Sequence, residues 1–497
     1  MLEKLHFSLH SYAREPAFFI DGKVYTYQDL DYLITAVQQT IFTNLHTTER
    51  IGIIANDDIE TYAGLLACLL SGIAFVPIEP GHPVERNSSI IGQSELKYIF
   101  CSSVDLLSPD FLKEHQSRIM VCKDLEPSNR GHIFNRVSQE KLAYILFTSG
   151  TTGVPKGVPI SRKNLDCFLR SAVEHDNSIG KGDRFLQLFD LTFDLSIYSY
   201  LIPLLAGSCV YTIPKSVVKY TFAIRLLQEQ QLTHALSVPS LIQFLRPYFK
   251  EINLPSVKEW LFCGEALQDK LVSEWQKCIP NARIINVYGP TEATIFCTAY
   301  PCEGRAQLKA HNGIISIGKP FKEVDFIIID ENCIKVPDGS IGELCIAGSQ
   351  TTTGYIRNDE KNRTTLLSLD SGNDQKVYYR TGDLVFQDQE GDYFFAGRID
   401  SQVKIQGYRV ELGEIENHAV AFHGVDEAVV LPLNTKEGVI GLFLFVKPGM
   451  PDNKNLMSFL KTRIPEYMLP KAIYSLNSFP LNVNGKIDRN ALKEMID

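Results

Sequence analysis

Between residues 51 and 101 the chain alternates apolar runs with amphipathic ones, and this alternation narrows the possible folds more than any other feature. "IGIIA" is followed by "IETYAGLLACLL", then "AFVPI", "VERNSSIIGQ" and "YIF". The short continuous apolar runs read as buried strands, and the longer periodic ones as helices. Strand, helix and strand in strict succession predict parallel strands joined by helical crossovers, in a doubly wound sheet. The pattern resumes with "AYILF", a helix from about Arg162, "CVYTI", a helix around "AIRLLQEQ", "HALSV", a helix around "LIQFLRPY", "EWLFC" and "RIINVYG". The expectation is a large N-terminal α/β body of two similar lobes.

After about Cys333 the texture changes to Gly-punctuated β segments, "GELCIAG" and "VYYRTGDLVFQDQEGDYFFAGR", which predict a small β subdomain. From Ser401 the order is strand "QVKIQ", a helix with Leu412, Ile415, Ala419 and Phe422 on one face, strands "AVVLPL" and "VIGLFLFVK", a helix near "LMSFLKTRI" and a last helix. That is a compact α+β unit of a size that folds alone. A chain of 497 residues exceeds one hydrophobic core. The expected division is 1–397 and 401–497, with the boundary at 398–400 in the polar "GRIDSQ".

Charge and composition exclude several classes. There are 49 Lys and Arg against 58 Asp and Glu, a net charge of -9, with no dense basic run to follow a nucleic-acid backbone. Nucleic acid is not an expected partner. "MLEKLHFSLHSYAREP" lacks the apolar core of a signal peptide, and the longest apolar stretches are too short for a membrane span. The 11 Cys are scattered without a CxxC pair, as in a protein of reduced thiols. A cytoplasmic monomer is expected.

Residues 147 to 157, "FTSGTTGVPKG", place a glycine-spaced, hydroxyl-rich loop directly after an apolar strand. Gly150, Gly153 and Gly157 allow close backbone approach, Thr148, Ser149, Thr151 and Thr152 offer hydroxyl donors, and Lys156 adds a positive charge, a combination suited to a polyanion. A Walker loop is excluded, because Lys156 is followed by Gly157 rather than Ser or Thr. A surface turn remains the plain alternative.

Further stretches point the same way. "NVYGPTEAT" ends a strand in a turn where Tyr288 can stack on a flat base, Thr291 can bond a phosphate and Glu292 can hold Mg2+. "YRTGDLV" puts Asp383 in a β turn, where a carboxylate can accept two hydrogen bonds from ribose hydroxyls. "GRIDSQVKIQGYR" supplies Arg398 and Asp400, and "NVNGKIDR" carries Lys486 on a Gly-bearing loop.

"TSGTTGVPKG", "YGPTE", "YRTGD", "GRIDSQVKIQGYR" and "NGKIDR" stand in one order nearly end to end, and in this the sequence resembles the adenylate-forming superfamily. That resemblance implies an ATP-dependent, AMP-forming ligase. The loop from Thr148 to Lys156 would hold the β- and γ-phosphates, with Thr148, Lys156, Arg398 and Lys486 in catalytic roles. Asn286, Tyr288, Gly289 and Thr291 would lie along the nucleotide, Asp383 and Arg398 on the ribose, and Mg2+ on Glu292. Lys486 would reach both the substrate carboxylate and the α-phosphate. The C-terminal domain would then pivot about Asp400 and present "KIQGYR" to a phosphopantetheine thiol.

Within that resemblance, "FDLS" places Asp194 where amino-acid-activating members bind the α-ammonium of the substrate. A buried carboxylate is costly without a cationic partner, so a bound ammonium gives a physical reason for it; a helix-start Asp is the ordinary alternative. "LFCGEAL", with Cys263 against the substrate Cα, resembles D-alanine:carrier-protein ligases. Tyr198 and the stretch "LFDLTFDLS" depart from that group. Carried across, the pocket comprises Asp194, Leu195, Tyr198, Ser237, Leu261, Cys263, Val287, Ile295 and Phe296. The implied substrate is a small amino acid, D-alanine first, and the implied partner a phosphopantetheinylated carrier protein. An L-amino-acid-activating adenylation enzyme is the second reading and a carboxylate:CoA ligase the third.

Overall fold

The computed structural model describes residues 1–44, 48–121, 130–150, 153–175, 178–215, 217–302, 308–371, 374–434, 440–447, 452–481 and 487–496. Two compact units divide the chain. The first comprises 1–80, 91–147 and 157–399, and the second 81–90, 148–156 and 400–497. The sequence predicts two contiguous stretches; in the structure two short segments of the N-terminal half belong to the second unit.

The alternating pattern produces two sheets with mainly parallel pairing. One has six strands, ordered Ile119–Val121, Ile99–Cys101, Arg50–Ile54, Ala74–Ile78, Leu142–Thr148 and Lys156–Ser161. The other has nine, ordered Lys319–Pro320, Thr298–Pro301, Arg283–Tyr288, Glu259–Phe262, His234–Ser237, Arg184–Gln187, Cys209–Thr212, Pro16–Ile20 and Lys23–Thr26. Its six consecutive strands from Arg283–Tyr288 to Pro16–Ile20 pair in parallel, and both of its ends are antiparallel.

Local chemistry explains why the crossover helices start and stop where they do. Asp58 caps the helix Ile59–Ser71 by accepting from the Thr61 N–H at 2.8 Å, an interaction worth about 1 kcal/mol. Gly72 ends that helix at φ +78, in the left-handed region that a Cβ disfavours. The helix between them is buried on every side. Its apolar residues join one continuous core of the first unit that runs from Leu2 to Tyr393.

The β subdomain is an antiparallel sheet ordered Val324–Ile329, Gly342–Gly348, Asp374–Gln387 and Leu366–Ser371, with Tyr393–Arg398 also on Asp374–Gln387. It begins at Val324 rather than near Cys333. "VDFIII" is apolar enough to resemble another parallel strand, but it pairs antiparallel with Gly342–Gly348.

The second unit has its own core around Val410, Ile415, Leu444, Leu456 and Met468. Its sheet orders Glu427–Asn434, Ile440–Lys447 and Ala472–Ser475, beside the two-stranded Gln402–Ile405 and Tyr408–Glu411. In the helix Leu412–Val420, Leu412, Ile415 and Ala419 are buried as the periodicity predicts, while Phe422 lies past its end.

Candidate active site

The strand Arg283–Tyr288 carries one wall of the site in the first unit. Its last residue donates from the phenol to Asp383 Oδ2 at 2.6 Å, and Arg398 pairs with Oδ1 of the same carboxylate. Burial first, and the Asp383 charge next, push the Tyr288 phenol well above its ordinary range, so it remains a donor. Asn286, on the same strand, donates to the Ser316 carbonyl at 2.9 Å. Gly289 passes so close to Phe296 that a Cβ would sit 2.4 Å from the Phe296 Cα, which excludes any side chain there.

Asp383 lies in the long strand Asp374–Gln387, not in a β turn. The turn-like residues "TGD" produce a bulge instead. Pairing with Gly342–Gly348 shifts register across them, and Gly382 takes φ +72. The Thr381 hydroxyl accepts from the Asp383 N–H at 3.0 Å, and Glu343 accepts from the Gly382 N–H at 3.1 Å. These bonds aim the carboxylate at Tyr288 and Arg398.

Thr291 and Glu292 fall in the 3-10 turn Thr291–Ala293, where Glu292 is fully buried and Tyr355 donates to its Oε1 at 2.6 Å. The Tyr379 hydroxyl stands 3.4 Å from that of Tyr355. A buried carboxylate oriented by a phenol is the hard oxygen donor that Mg2+ takes alongside substrate phosphates, so the residues fit that ion. Sequence reasoning missed Tyr355 and Tyr379. Their signal is an aromatic with a polar tip inside "TTTGYIR" and "VYYRTGD".

Just beyond, Thr294 and Ile295 have φ +58 and +72, a conformation that β-branched residues adopt only under constraint. The constraint is Gln350, fully buried, whose amide donates to the carbonyls of Ala293 at 3.1 Å and Phe296 at 2.9 Å. The strained turn carries Ile295 and Phe296 into the core.

Asp194 stands at the start of the helix Leu195–Ala206 and is buried, yet its side chain makes no capping hydrogen bond to that helix. Its burial excludes a solvent-facing Asp at a helix start. Tyr198, one turn along, packs against Phe296 with ring centroids 5.3 Å apart, and Phe168 closes the group at 5.0 Å from Phe296. Strand register puts Leu261, Cys263 and Val287 on one sheet face. Ser237 is on the opposite face, paired in register with Phe262, and its hydroxyl accepts from Trp260 at 2.9 Å. The structure thus brings together Tyr198 and Phe296, and separately Leu261, Cys263 and Val287, but not Ser237. Leu195 is buried at the head of the helix.

The glycine-rich loop belongs to the second unit, between the strands Leu142–Thr148 and Lys156–Ser161. Gly150 lies so tightly against the Val154 carbonyl that a Cβ would be 2.1 Å from its oxygen. Lys156 is buried and its ammonium lies 3.1 Å from Glu411. The Gly150 N–H donates to Glu414 at 3.1 Å, and Glu414 also pairs with Arg86 at 2.8 Å. The Ser149 hydroxyl donates to the Arg409 carbonyl at 2.7 Å. Here the Gly150 N–H and the Lys156 ammonium face carboxylates. Glu411 and Glu414 come from "ELGEIE", a stretch whose acidic spacing is visible in the sequence without an assigned partner. Asp400 accepts from the Gln402 N–H at 3.2 Å. Thr151, Thr152 and Lys486 lie outside the described residues.

A parallel-stranded body, an antiparallel subdomain and a Tyr–Asp–Arg cluster at a strand's carboxyl end define a nucleotide-handling enzyme of the AMP-binding class. The family model "AMP-binding enzyme" matches residues 7–356 and "AMP-binding enzyme C-terminal domain" matches residues 414–486, and the chain belongs to this adenylate-forming ligase family. It is 34% identical over 452 residues to a component of the linear gramicidin synthase of Brevibacillus parabrevis, a match that covers 89% of this chain and 8% of that protein. It is 32% identical over 486 residues to an L-allo-isoleucine:holo-CmaA peptidyl-carrier protein ligase of Pseudomonas savastanoi pv. glycinea, 95% of this chain and 79% of that one. Among solved structures, the Vibrio cholerae adenylation domain AlmE in complex with glycyl-adenosine-5'-phosphate superposes with a TM-score of 0.87 at 25% identity, covering 99% of this chain and 97% of that one. The chain spans under a sixth of the length of the synthases it matches first. Among the described residues no helix is long and apolar enough to cross a membrane.

Proposed function

We propose that the chain activates a small amino acid with ATP and transfers it to the phosphopantetheine thiol of a carrier protein in the cytoplasm, with D-alanine the first candidate. The observation that carries this is Asp194, a buried carboxylate at the head of the helix Leu195–Ala206, one turn from the aromatic wall of Tyr198 and Phe296. The substrate ammonium would neutralise it, and the aromatics leave room for little side chain. The carrier-protein ligase among the relatives supports transfer to a carrier, and the glycyl-adenylate complex supports a small amino acid.

In the first step a carboxylate oxygen of the amino acid bonds to the α-phosphorus of ATP as the bond to the β-phosphate oxygen breaks, releasing pyrophosphate. Asp194 orients the amino acid, Asp383 and Arg398 take the ribose, Tyr288 lies on the adenine, and Asn286 and Gly289 shape the base pocket. Thr148, Ser149, Gly150 and Lys156 take the phosphates, and Lys486 stabilises charge on the reacting oxygens. Glu292 would hold Mg2+, which neutralises phosphate charge. In the second step the thiol sulfur bonds to the acyl carbon and AMP leaves.

Amino-acid-dependent ATP-pyrophosphate exchange over D- and L-amino acids, with fatty and aryl acids as controls, tests the proposal. Exchange led by D-alanine or glycine supports it. Exchange led by an L-amino acid moves the enzyme to the second reading, which the L-allo-isoleucine ligase among the relatives favours, and exchange with fatty or aryl acids alone overturns the role of Asp194. Asp194→Ala should raise the KM for amino acid at least about 30-fold, as expected for loss of a buried charge pair worth ~2 kcal/mol or more, with little change for ATP.

A further inference from the structure

Away from the nucleotide residues, three imidazoles of the first unit converge. His6 and His10 sit one turn apart on the helix Leu2–Ser11, on the same face. His132 reaches them from the segment that follows the six-stranded sheet's outer strand, and it is buried whereas His10 is exposed. One ligand nitrogen from each lies within 4.8 Å of the other two. The ring centroids are 4.7 Å apart for His6 and His132, 5.2 Å for His6 and His10, and 4.9 Å for His10 and His132.

We propose that His6, His10 and His132 form a binding site for one divalent transition-metal ion of the Zn2+ class, distinct from the Mg2+ expected at Glu292. His132 Nδ1 pairs with the Asp31 carboxylate, which comes from the helix Tyr27–Asn44. A carboxylate that accepts the Nδ1 proton fixes the tautomer, leaving Nε2 with its lone pair outward and more basic, which is how metal-ligating histidines are commonly held. His132 Nε2 lies 2.6 Å from His6 Nδ1. Two ring nitrogens that close share one proton, and a cation in that position replaces it.

The geometry needs only small adjustment. Tetrahedral coordination with Zn–N bonds of about 2.0–2.1 Å spaces ligand nitrogens about 3.3 Å apart. His6 and His132, now 2.6 Å apart, must part by about 0.7 Å, and the exposed His10 ring can swing inward by rotamer change. Phe134 stacks on His6, with centroids 5.7 Å apart, and fixes that ring from the other side. Three neutral imidazoles without a thiolate select Zn2+, Co2+, Ni2+ or Cu2+ over Mg2+ or Ca2+ and leave a fourth position for water. A bound ion would tie the first helix of the chain to the segment at His132 and, through Asp31, to the helix Tyr27–Asn44.

The test is titration of the chelator-treated full chain with ZnCl2 by calorimetry and with CoCl2 by visible absorption. The expected result is one ion per chain, with the Co2+ d–d bands of a four-coordinate nitrogen-ligated site. His10→Ala and His6→Ala should each weaken binding at least about 10-fold, and Asp31→Asn should weaken it about 10- to 100-fold. Because His132 is buried, the exposed His10→Ala keeps the test decisive if a His132 variant fails to fold. Absence of saturable one-to-one binding, or binding unchanged in both His6→Ala and His10→Ala, overturns the proposal and leaves a hydrogen-bonded imidazole cluster.

Discussion

Tyr288 and Asp383, 95 residues apart in the chain, share a 2.6 Å hydrogen bond. It joins a parallel strand's carboxyl end to a bulge in the antiparallel subdomain, so Tyr288, Asp383 and Arg398 are held as a set. Tyr288→Phe keeps the ring but deletes a bond to a charged acceptor, a loss of about 1.5–2 kcal/mol. The KM for ATP in pyrophosphate exchange should rise roughly 10-fold with kcat little changed. An unchanged KM would show that the bond does not position Asp383 for the ribose.

Lys156 and Glu411 form a buried pair, so under the proposed role of Lys156 the ATP phosphates would compete with the Glu411 carboxylate for one ammonium. Glu411→Gln takes a negative charge away from buried Lys156, which should cost the nucleotide-free protein up to about 3 kcal/mol. Saturating ATP should therefore raise the Tm of the variant by more than it raises that of the wild type, measured side by side by scanning fluorimetry. Equal shifts would mean that the loop's lysine does not serve the phosphates.

Gln350 restrains two residues in left-handed backbone. Gln350→Ala leaves the buried carbonyls of Ala293 and Phe296 short of a donor, a destabilisation of about 2–3 kcal/mol. Because Ile295 and Phe296 ride on that turn, the KM for amino acid should rise more than the KM for ATP. Denaturant unfolding and exchange kinetics on one preparation separate the two effects.

Asp57 lies beside Tyr62, which donates to it at 3.0 Å, and burial raises its carboxyl from the usual range to about 6 against the opposing pull of Lys215 and Lys219. The neighbouring Asp190 adds to the rise. A carboxyl raised on folding binds more protons folded than unfolded, so its contribution falls as pH climbs from about 4 to about 6. Asp57→Asn should raise the Tm by about 2 °C or more at pH 7.5, and the gain should vanish near pH 4. A gain independent of pH would reject the charge as its cause.

The fold was legible wherever one local signal decided the structure. "VERNSSIIGQ" is the helix Val84–Gln93 and "AFVPI" the strand Ala74–Ile78, because both burial pattern and length pointed one way. "VDFIII" was harder, since an apolar run does not reveal the direction of its partner. Of the site, the strand-end turn at Tyr288 followed from "NVYGPTE". The bulge at Asp383 did not, because Gly382 serves a turn and a bulge equally well. Glu411 and Glu414 were visible as acidic residues, but their partners lie more than 250 residues away, and no periodicity encodes such pairing. Ser237 was assigned to the pocket by position alone, and strand parity turns it to the opposite face.

The chain passes between its two compact units at 80/81, 90/91, 147/148, 156/157 and 399/400. A module exchange that transplants 400–497 into another protein at a single junction would therefore carry away Glu411 and Glu414 but leave their partners Lys156 and Arg86 behind. Only a recipient with matching cations at both places would rebuild the pairs. Compatibility of such chimaeras would then be decided by two short stretches far from the cut, not by the sequence at the splice.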